Sequence, residues 1–369
     1  MNLPKTLGPA RLPPLPPLRD FINMYRLQAK KILSQNYLMD MNVIRKLVRK
    51  AGEMTDRYVI EIGPGPGGIT RAVLENDCRR LDVIEIDQRF VPPLEILRIA
   101  SDNRLFIHNE NVMKSDMERI WRDAGAAPTS WYADECPFHV IGNLPFNIAS
   151  PLIVRLLKDM SYRRGAWAFG RAPLTLTFQK EVAQRIVGQI DSDSRSRLSL
   201  MAQYVSEPKM VFNIPGSCFV PEPQVDVGVV RFEPRLEPII QAPFELVEKV
   251  ARVLFMHRRK RISRNLKNLY PKELQNRMSE ELLSSTGLDA DSTCIQVGIH
   301  EFRELCLQYL RQCNELPGLY PYEYWLKFTL DELKERPNAM PPEYAFRSIN
   351  RINDEGLSLA EFGKHFSNL

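Results

Sequence analysis

The chain is poor in what metal and disulfide chemistry require. Its six cysteines (Cys78, Cys136, Cys218, Cys294, Cys306, Cys313) never stand as C-x-x-C, and its five histidines never as H-E-x-x-H. A zinc centre and a disulfide framework are therefore not expected, and a reducing compartment fits. No apolar run reaches the roughly 18 residues of a membrane span, so no membrane partner is expected. The only calcium-like stretch, Asn353-Asp354-Glu355-Gly356 with Glu361-Phe362, has the wrong spacing. With Gly356 at the sixth loop position, Arg351 and Phe362 fall where carboxylates are needed, so no metal is assigned.

Acidic side chains are absent before Asp20, while Lys5, Arg11 and Arg19 precede it. That bias suits a mitochondrial presequence. Against it, Pro9, Pro13, Pro14, Pro16 and Pro17 oppose an amphipathic helix and favour polyproline II. Residues 1–25 are accordingly read as a proline-rich arm or a presequence, and both readings stay open.

What the chain does contain is enough to build a core. Its 369 residues (42.6 kDa) are 44% hydrophobic, sufficient for a large catalytic domain and a smaller one. A net charge of +5 favours a polyanionic partner only weakly when averaged over the chain. From residue 57 short apolar runs alternate with helical stretches, the pattern of a parallel α/β sheet. Strands are expected at Tyr58–Ile62, Leu81–Ile86, Leu105–His108, Phe138–Ile141, Leu174–Phe178, Met210–Ile214 and Val225–Phe232. Helices are expected at Ile69–Asn76, Pro151–Lys158, Lys180–Val187 and Leu198–Val205. Beyond Pro243 the periodicity is purely helical through Cys313. These patterns divide the chain into a catalytic domain over 26–235, a smaller helical domain over 243–315 and an extension over 316–369.

Two motifs carry chemistry. Glu61-Ile62-Gly63-Pro64-Gly65-Pro66-Gly67-Gly68 follows a strand and opens a helix, so backbone N–H groups are bared where the chain approaches a ligand. The carboxylate of Glu85, at the end of the next strand, stands where a ribose diol would be gripped. The turn also satisfies G-x-G-x-x-G, which leaves a nicotinamide dehydrogenase open. Glu61 leans against that, because a carboxylate there would repel a pyrophosphate, and nothing supplies the dehydrogenase's proton donor. The second motif, Asn143-Leu144-Pro145-Phe146, sets an amide oxygen, a main-chain carbonyl turned by proline and an apolar ring at a strand's end. Two acceptors and a flat ring fit the N6 amine of a purine, whose lone pair is delocalised into the ring and is localised by acceptors drawing on its hydrogens. Alone, the tetrapeptide reads equally as a strand ending in a proline turn.

Six segments occur in one order: K-I-L-S-Q-N-Y-L at 31–38, E-I-G-P-G-P-G-G at 61–68, N-L-P-F at 143–146, F-Q-K-E-V-A at 178–183, S-R-L-S at 196–199 and F-V-P-E-P-Q-V-D-V at 219–227. With them the chain resembles the KsgA-type ribosomal RNA adenine N6-dimethyltransferase family, in its mitochondrial branch, over residues 20 to 315. The resemblance implies a seven-stranded Rossmann-like S-adenosylmethionine-dependent methyltransferase domain with a smaller C-terminal helical domain. It implies transfer of methyl groups to adenines in a small-subunit rRNA hairpin loop, in the mitochondrial matrix, by a monomer serving small-subunit assembly.

The resemblance also assigns roles. Asn36 and Leu38 match the segment across the methionine end of the cofactor, and Gly63 the glycine beneath its sulfonium. Glu85 matches the ribose acid, with Ile86 beside the adenine ring. The family's Gly-Asp pair is replaced by Glu110-Asn111, so Asn111 would accept from the cofactor's adenine amine without a charge. Val112 would pack on that ring. Asn143 matches the acceptor of the target N6–H and also borders the cofactor, Leu144 offers its carbonyl, and Phe146 and Phe219 match the rings on either face of the flipped base.

Substrate RNA is expected at Arg258, Arg259, Lys260, Arg261, Arg264 and Lys267, because no acidic residue occurs from His257 through Tyr270. On a helix these side chains would wrap more than one face. Arg163, Arg164, Arg171, Arg195 and Arg197 would extend the track around the cleft. A second reading stays open, a factor that binds mitochondrial RNA polymerase or DNA with little or no methyl transfer, as the factor-B name of mitochondrial relatives implies. The intact Asn143–Phe146 and Phe219 favour catalysis, since a pure binder has no need of them.

Overall fold

All seven expected apolar runs form strands of one sheet in the computed structural model, which describes residues 12, 13, 15–25, 35–325 and 330–335. In chain order the strands are β1 (Tyr37–Leu38), β2 (Tyr58–Ile62), β3 (Arg80–Ile84), β4 (Leu105–His108), β5 (Phe138–Asn143), β6 (Leu174–Gln179), β7 (Ser206–Ile214), β8 (Phe219–Val220) and β9 (Val227–Pro234). The sheet runs β4-β3-β2-β5-β6-β9-β7. Its first five strands are parallel, and β9 is antiparallel to both β6 and β7. Outside it, β1 and β8 form a two-residue antiparallel ladder that pairs Leu38 with Phe219.

The strands read as continuous apolar runs because helices cover both faces of a parallel sheet. In β2 every residue from Val59 to Ile62 is buried, Glu61 included. The covering helices are α1 (Leu18–Met24), α2 (Met41–Ala51), α3 (Gly68–Glu75), α4 (Val91–Ala100), α5 (Met117–Asp123), α6 (Phe146–Ser161) and α7 (Lys180–Ile186). In α2 the Asp40 carboxylate caps the N–H groups of Asn42 and Val43, and Ile44, Leu47, Val48 and Ala51 make the buried stripe. That stripe joins one core cluster with Val59 of β2, Leu81 and Val83 of β3, and Phe219.

The described part of the expected N-terminal arm is folded. Leu18 and Phe21 of α1 are buried, the Arg71 guanidinium lies 4.4 Å from the centre of the Phe21 ring, and Arg71 donates to the Pro16 carbonyl at 2.5 Å. Pro17 stands just before the helix, where a missing N–H does no harm, so the prolines delay a helix here without forbidding it. Residues 1–11 and 26–34 lie outside the described set.

Two compact units are present. One comprises residues 1–184 and 206–236, the other 185–205 and 237–369. The expected division near 235 therefore misses a crossing: the segment 185–205, including α8 (Arg197–Val205), belongs with the helical unit, where α8 packs on α9 (Phe244–Leu254) and α12 (Ile299–Glu315). The remaining helices of that unit are α10 (Ile262–Leu266), α11 (Gln275–Thr286) and α13 (Leu330–Glu335). Residues expected in the extension also pack into it. Leu319 and Tyr322 are buried, and the buried Lys249 ammonium donates to the carbonyls of Leu319 and Tyr320, each at 3.0 Å. The calcium-like stretch lies outside the described residues.

Gly142 sets how closely β2 and β5 approach. A Cβ there would sit 2.6 Å from the Ile62 carbonyl oxygen, a main-chain atom that cannot rotate away. Gly142→Ala is expected to lower the unfolding free energy by about 1–3 kcal/mol in a denaturant titration; an unchanged midpoint would mean the strands have room to part.

Candidate active site

At the carboxyl ends of β2, β3 and β5 the sheet opens into a cavity of about 180 Å³, where ligands settle in doubly wound sheets. It is lined by Glu61 to Gly65 of the glycine turn, Glu85 and Ile86 after β3, Asn111 and Val112 after β4, Asn143 and Pro145 after β5, and Asn36 and Leu38 around β1. Every residue expected to touch the cofactor is brought to this one space. The sequence alone did not place Gln35, Tyr37, Met113, Asn147 and Ile148 there.

The glycine turn is shaped by two carboxylates. Gly65 adopts a φ of +51°, which aims its N–H at the Glu85 Oε2 at 3.1 Å, and Asp87 N–H donates to the Oε1 at 2.8 Å. Gly67, at φ +84°, caps α3, and a Cβ on it would fall 2.6 Å from Leu97. Burial raises the pKa of Glu85 despite these donors. Glu61 is more extreme: it is fully buried, Thr70 donates to its Oε2 at 2.7 Å, and its Oε1 has no partner. Burial, with the Glu85 charge adding to it, pushes the Glu61 carboxyl up to about 8. The unpartnered oxygen in the cavity wall is left open to a hydrogen-bond donor from a ligand.

On the side expected to face the cofactor's adenine, Ile86 is 53% exposed at the rim, a large apolar side chain left uncovered. The Asn111 Oδ1 accepts from Met113 N–H at 2.9 Å, and Glu110 accepts from Ser115 at 2.7 Å. Asn111 thus keeps one lone pair for a ligand.

Asn143 ends β5 beside the glycine turn; a Cβ at Gly63 would lie 3.6 Å from its carbonyl oxygen. Its side-chain Nδ2 donates to the Asn36 carbonyl at 3.1 Å, and its Oδ1 accepts from the buried Thr177 hydroxyl at 2.7 Å. Leu144 is buried, Pro145 lines the cavity, and Phe146 opens α6 with its ring half-buried. Phe219 departs from expectation. Read as a ring facing the target base, it is only 3% exposed and packs in the core cluster, paired with Leu38 in the β1–β8 ladder.

The basic cluster of the helical unit is not one helix. α9 ends at Leu254, residues 255–260 form turns, and Arg261 precedes α10. Asn265 enforces the turn by donating to the carbonyls of Leu254 (2.8 Å) and His257 (3.2 Å). Arg258, Arg259, Lys260, Arg261 and Arg264 are exposed, and Lys267 is half-buried, donating to Asn276. Arg261 pairs with Asp291 at 2.8 Å and Arg258 donates to the Asp193 carbonyl, while Arg259, Lys260 and Arg264 carry no ion pair among the described residues. Arg195 is a further correction. It is 1% exposed and tied to the Gly188 and Val297 carbonyls and to Gln203, so it braces the unit from within.

The strand order, the reversed β9 and a nucleoside-sized cavity beside a buried acid define a Rossmann-like methyltransferase. A dimethyladenosine transferase from Plasmodium falciparum shares this fold, with a TM-score of 0.58 and 19% identity, covering 77% of this chain and 98% of that one. The ribosomal RNA adenine dimethylase model matches residues 26–295, and the chain belongs to that family. It is 56% identical over 337 residues to the Caenorhabditis elegans protein named mitochondrial dimethyladenosine transferase 1 (90% of this chain, 92% of the relative). It is 44% identical over 330 residues to the human protein of that name (89% and 93%).

Glu61 makes the ligand-free protein sensitive to pH. The native state holds its proton to about 8, whereas the unfolded chain releases it near the ordinary 4.5. Between these values the native state binds more protons, so this contribution to stability falls as pH rises and is lost above about 8. Glu61→Gln is expected to hold its thermal midpoint better than the parent from pH 5 to 8, read by thermal unfolding. Parallel curves would show that the carboxyl is ionised throughout.

Proposed function

We propose that the protein is a mitochondrial S-adenosylmethionine-dependent rRNA adenine N6,N6-dimethyltransferase, acting in the matrix on unpaired adenines of a small-subunit rRNA hairpin loop during subunit assembly. The observation that carries this is the Asn143 amide, which lines the cavity and is held by the Asn36 carbonyl at its nitrogen and the Thr177 hydroxyl at its oxygen. The family supplies the reaction and the named mitochondrial relatives the compartment.

The residues present fit the cofactor. Glu85 would take the ribose diol, Ile86 and Val112 the faces of the adenine, Asn111 its amine, and the unpartnered Glu61 oxygen the ammonium end beside Asn36 and Leu38. S-adenosylmethionine supplies an electrophilic methyl on a sulfonium. The chain's own part is to make the adenine amine nucleophilic and to aim it. Asn143 Oδ1 and the Leu144 carbonyl accept the N6 hydrogens, which localises the nitrogen lone pair. Phe146 supports the extruded base by stacking, worth about 1–3 kcal/mol against the cost of unstacking. Methyl transfer of this kind depends on orientation more than on acid–base help, in keeping with a site that offers acceptors and no strong base. Phe219 pairs with Leu38 across the β1–β8 ladder. The family match sets the dehydrogenase reading aside.

Asn143→Ala is expected to lower N6 methylation of a small-subunit rRNA hairpin by roughly 100-fold or more while leaving RNA affinity near the parental value. Mass spectrometry of the modified hairpin reads the outcome, and a parental rate would remove the assigned chemistry. Neutralising Arg258, Arg259, Lys260 and Arg261 together is expected to weaken RNA binding. The slope of log affinity against log salt should flatten by roughly 0.7–0.9 for each phosphate that is no longer neutralised. An unchanged slope in a salt titration would place the RNA on another surface.

A further inference from the structure

We infer that Thr177 is a positioning residue for methyl transfer, fixing the Asn143 amide in the orientation that accepts from the target amine. The inference rests on the methyltransferase reading and extends it to a residue outside the cavity lining.

An asparagine amide has no strong torsional preference of its own, because the last side-chain bond is a broad sp³–sp² rotor. Its direction must come from neighbours. Asn143 has two, on opposite ends of the amide. The Asn36 carbonyl can only accept, so it selects the nitrogen end at 3.1 Å. The Thr177 hydroxyl then holds the oxygen end at 2.7 Å, an ordinary O–H···O length. Thr177 faces Asn143 across the β5–β6 ladder and is paired on its other side with Val229 of β9, with no exposed surface. Thr177 has no exposed surface, so its hydroxyl needs a partner inside the protein, and the Asn143 Oδ1 supplies it. An amide oxygen has two lone pairs, so with one engaged by Thr177 the other remains for an N6–H. The strap that carries Asn36 lines the cofactor cavity, so the clamp joins the cofactor wall to the base-activating group.

Thr177→Val removes the hydroxyl at nearly constant volume, and Thr177→Ser keeps it. For the valine variant kcat is expected to fall roughly tenfold or more, with KM for S-adenosylmethionine and for hairpin RNA within about twofold of the parent. The serine variant is expected to turn over at the parental rate. Parental kcat in the valine variant, or an equal fall in both variants, overturns the inference. A second measurement is independent of turnover. Hydrogen exchange of the Asn143 side-chain amide, followed by NMR on asparagine-labelled protein, is expected to quicken in the valine variant alone. Equal exchange in parent and valine variant overturns the clamp even if the parent proves inactive on rRNA, an outcome that would count separately against the methyltransferase reading.

Discussion

Two carboxylates buried at the ends of neighbouring strands constrain the rest of this site. Glu61 and Glu85 sit in a region built from apolar strands, where an ionised group is costly unless donors surround it. The chain meets that need with main-chain N–H groups, which a helix or strand would have consumed. A turn with left-handed residues frees them, and Gly65 N–H reaches Glu85 only in that conformation. The glycine motif is thus as much a consequence of the acids as of any ligand. Glu85 is satisfied on both oxygens by the backbone, whereas Glu61 is left with one oxygen open. Burial favours the protonated form of that carboxyl, in which the open oxygen carries no full charge.

The opposite wall of the cavity comes from a segment with little structure of its own. Residues 35–38 are fastened at three places. The ladder to β8 pairs Leu38 with Phe219, Asn143 donates to the Asn36 carbonyl, and a run of side-chain hydrogen bonds leads from Tyr37 through Gln35 to Asp87. Asp87 is itself held by Arg89, which keeps its carboxyl down at about 2. The same Asp87 contributes its N–H to Glu85. Glu85 and the segment 35–38 therefore share one anchor at Asp87.

Much of this is legible in the residues and some is not, for physical reasons. The central strands announce themselves because burial on both faces keeps them rich in apolar and β-branched residues, and Glu61, Gly63, Glu85 and Asn143 follow from strand ends and turn chemistry. Phe219 escapes such reasoning because a ladder of two residues carries no periodicity, so nothing in the chain says that Leu38 will cover it. The helix α8 is recognisable by its own pattern, but which unit buries it depends on its packing on α9 and α12, which no local window contains. Thr177 reads as one more β-branched strand residue until register sets it opposite Asn143.

Charge is the least legible property, and the arginines expected to ring the cleft show why. The cavity lies at the start of α6, and Arg163 and Arg164 follow its end, about 24 Å away at 1.5 Å per residue for a helix of 16 residues. Arg171 precedes β6, at that same far end of the sheet, and spends its guanidinium on the carbonyls of Trp131 and Ala133. Arg163 lies over the Trp131 and Tyr132 rings at 4.7 and 5.6 Å and donates to the Leu236 carbonyl. Arg163 and Arg171 are thus engaged by carbonyls and rings at the foot of the sheet, away from the cavity. A sequence run of arginines becomes an RNA surface only where acids, carbonyls and rings are missing from its neighbourhood. Arg197 is exposed but stands singly at the start of α8, whereas Arg259, Lys260 and Arg264 meet that condition as a group. The salt dependence of binding should therefore trace to the turn after α9 rather than to the net charge of the chain.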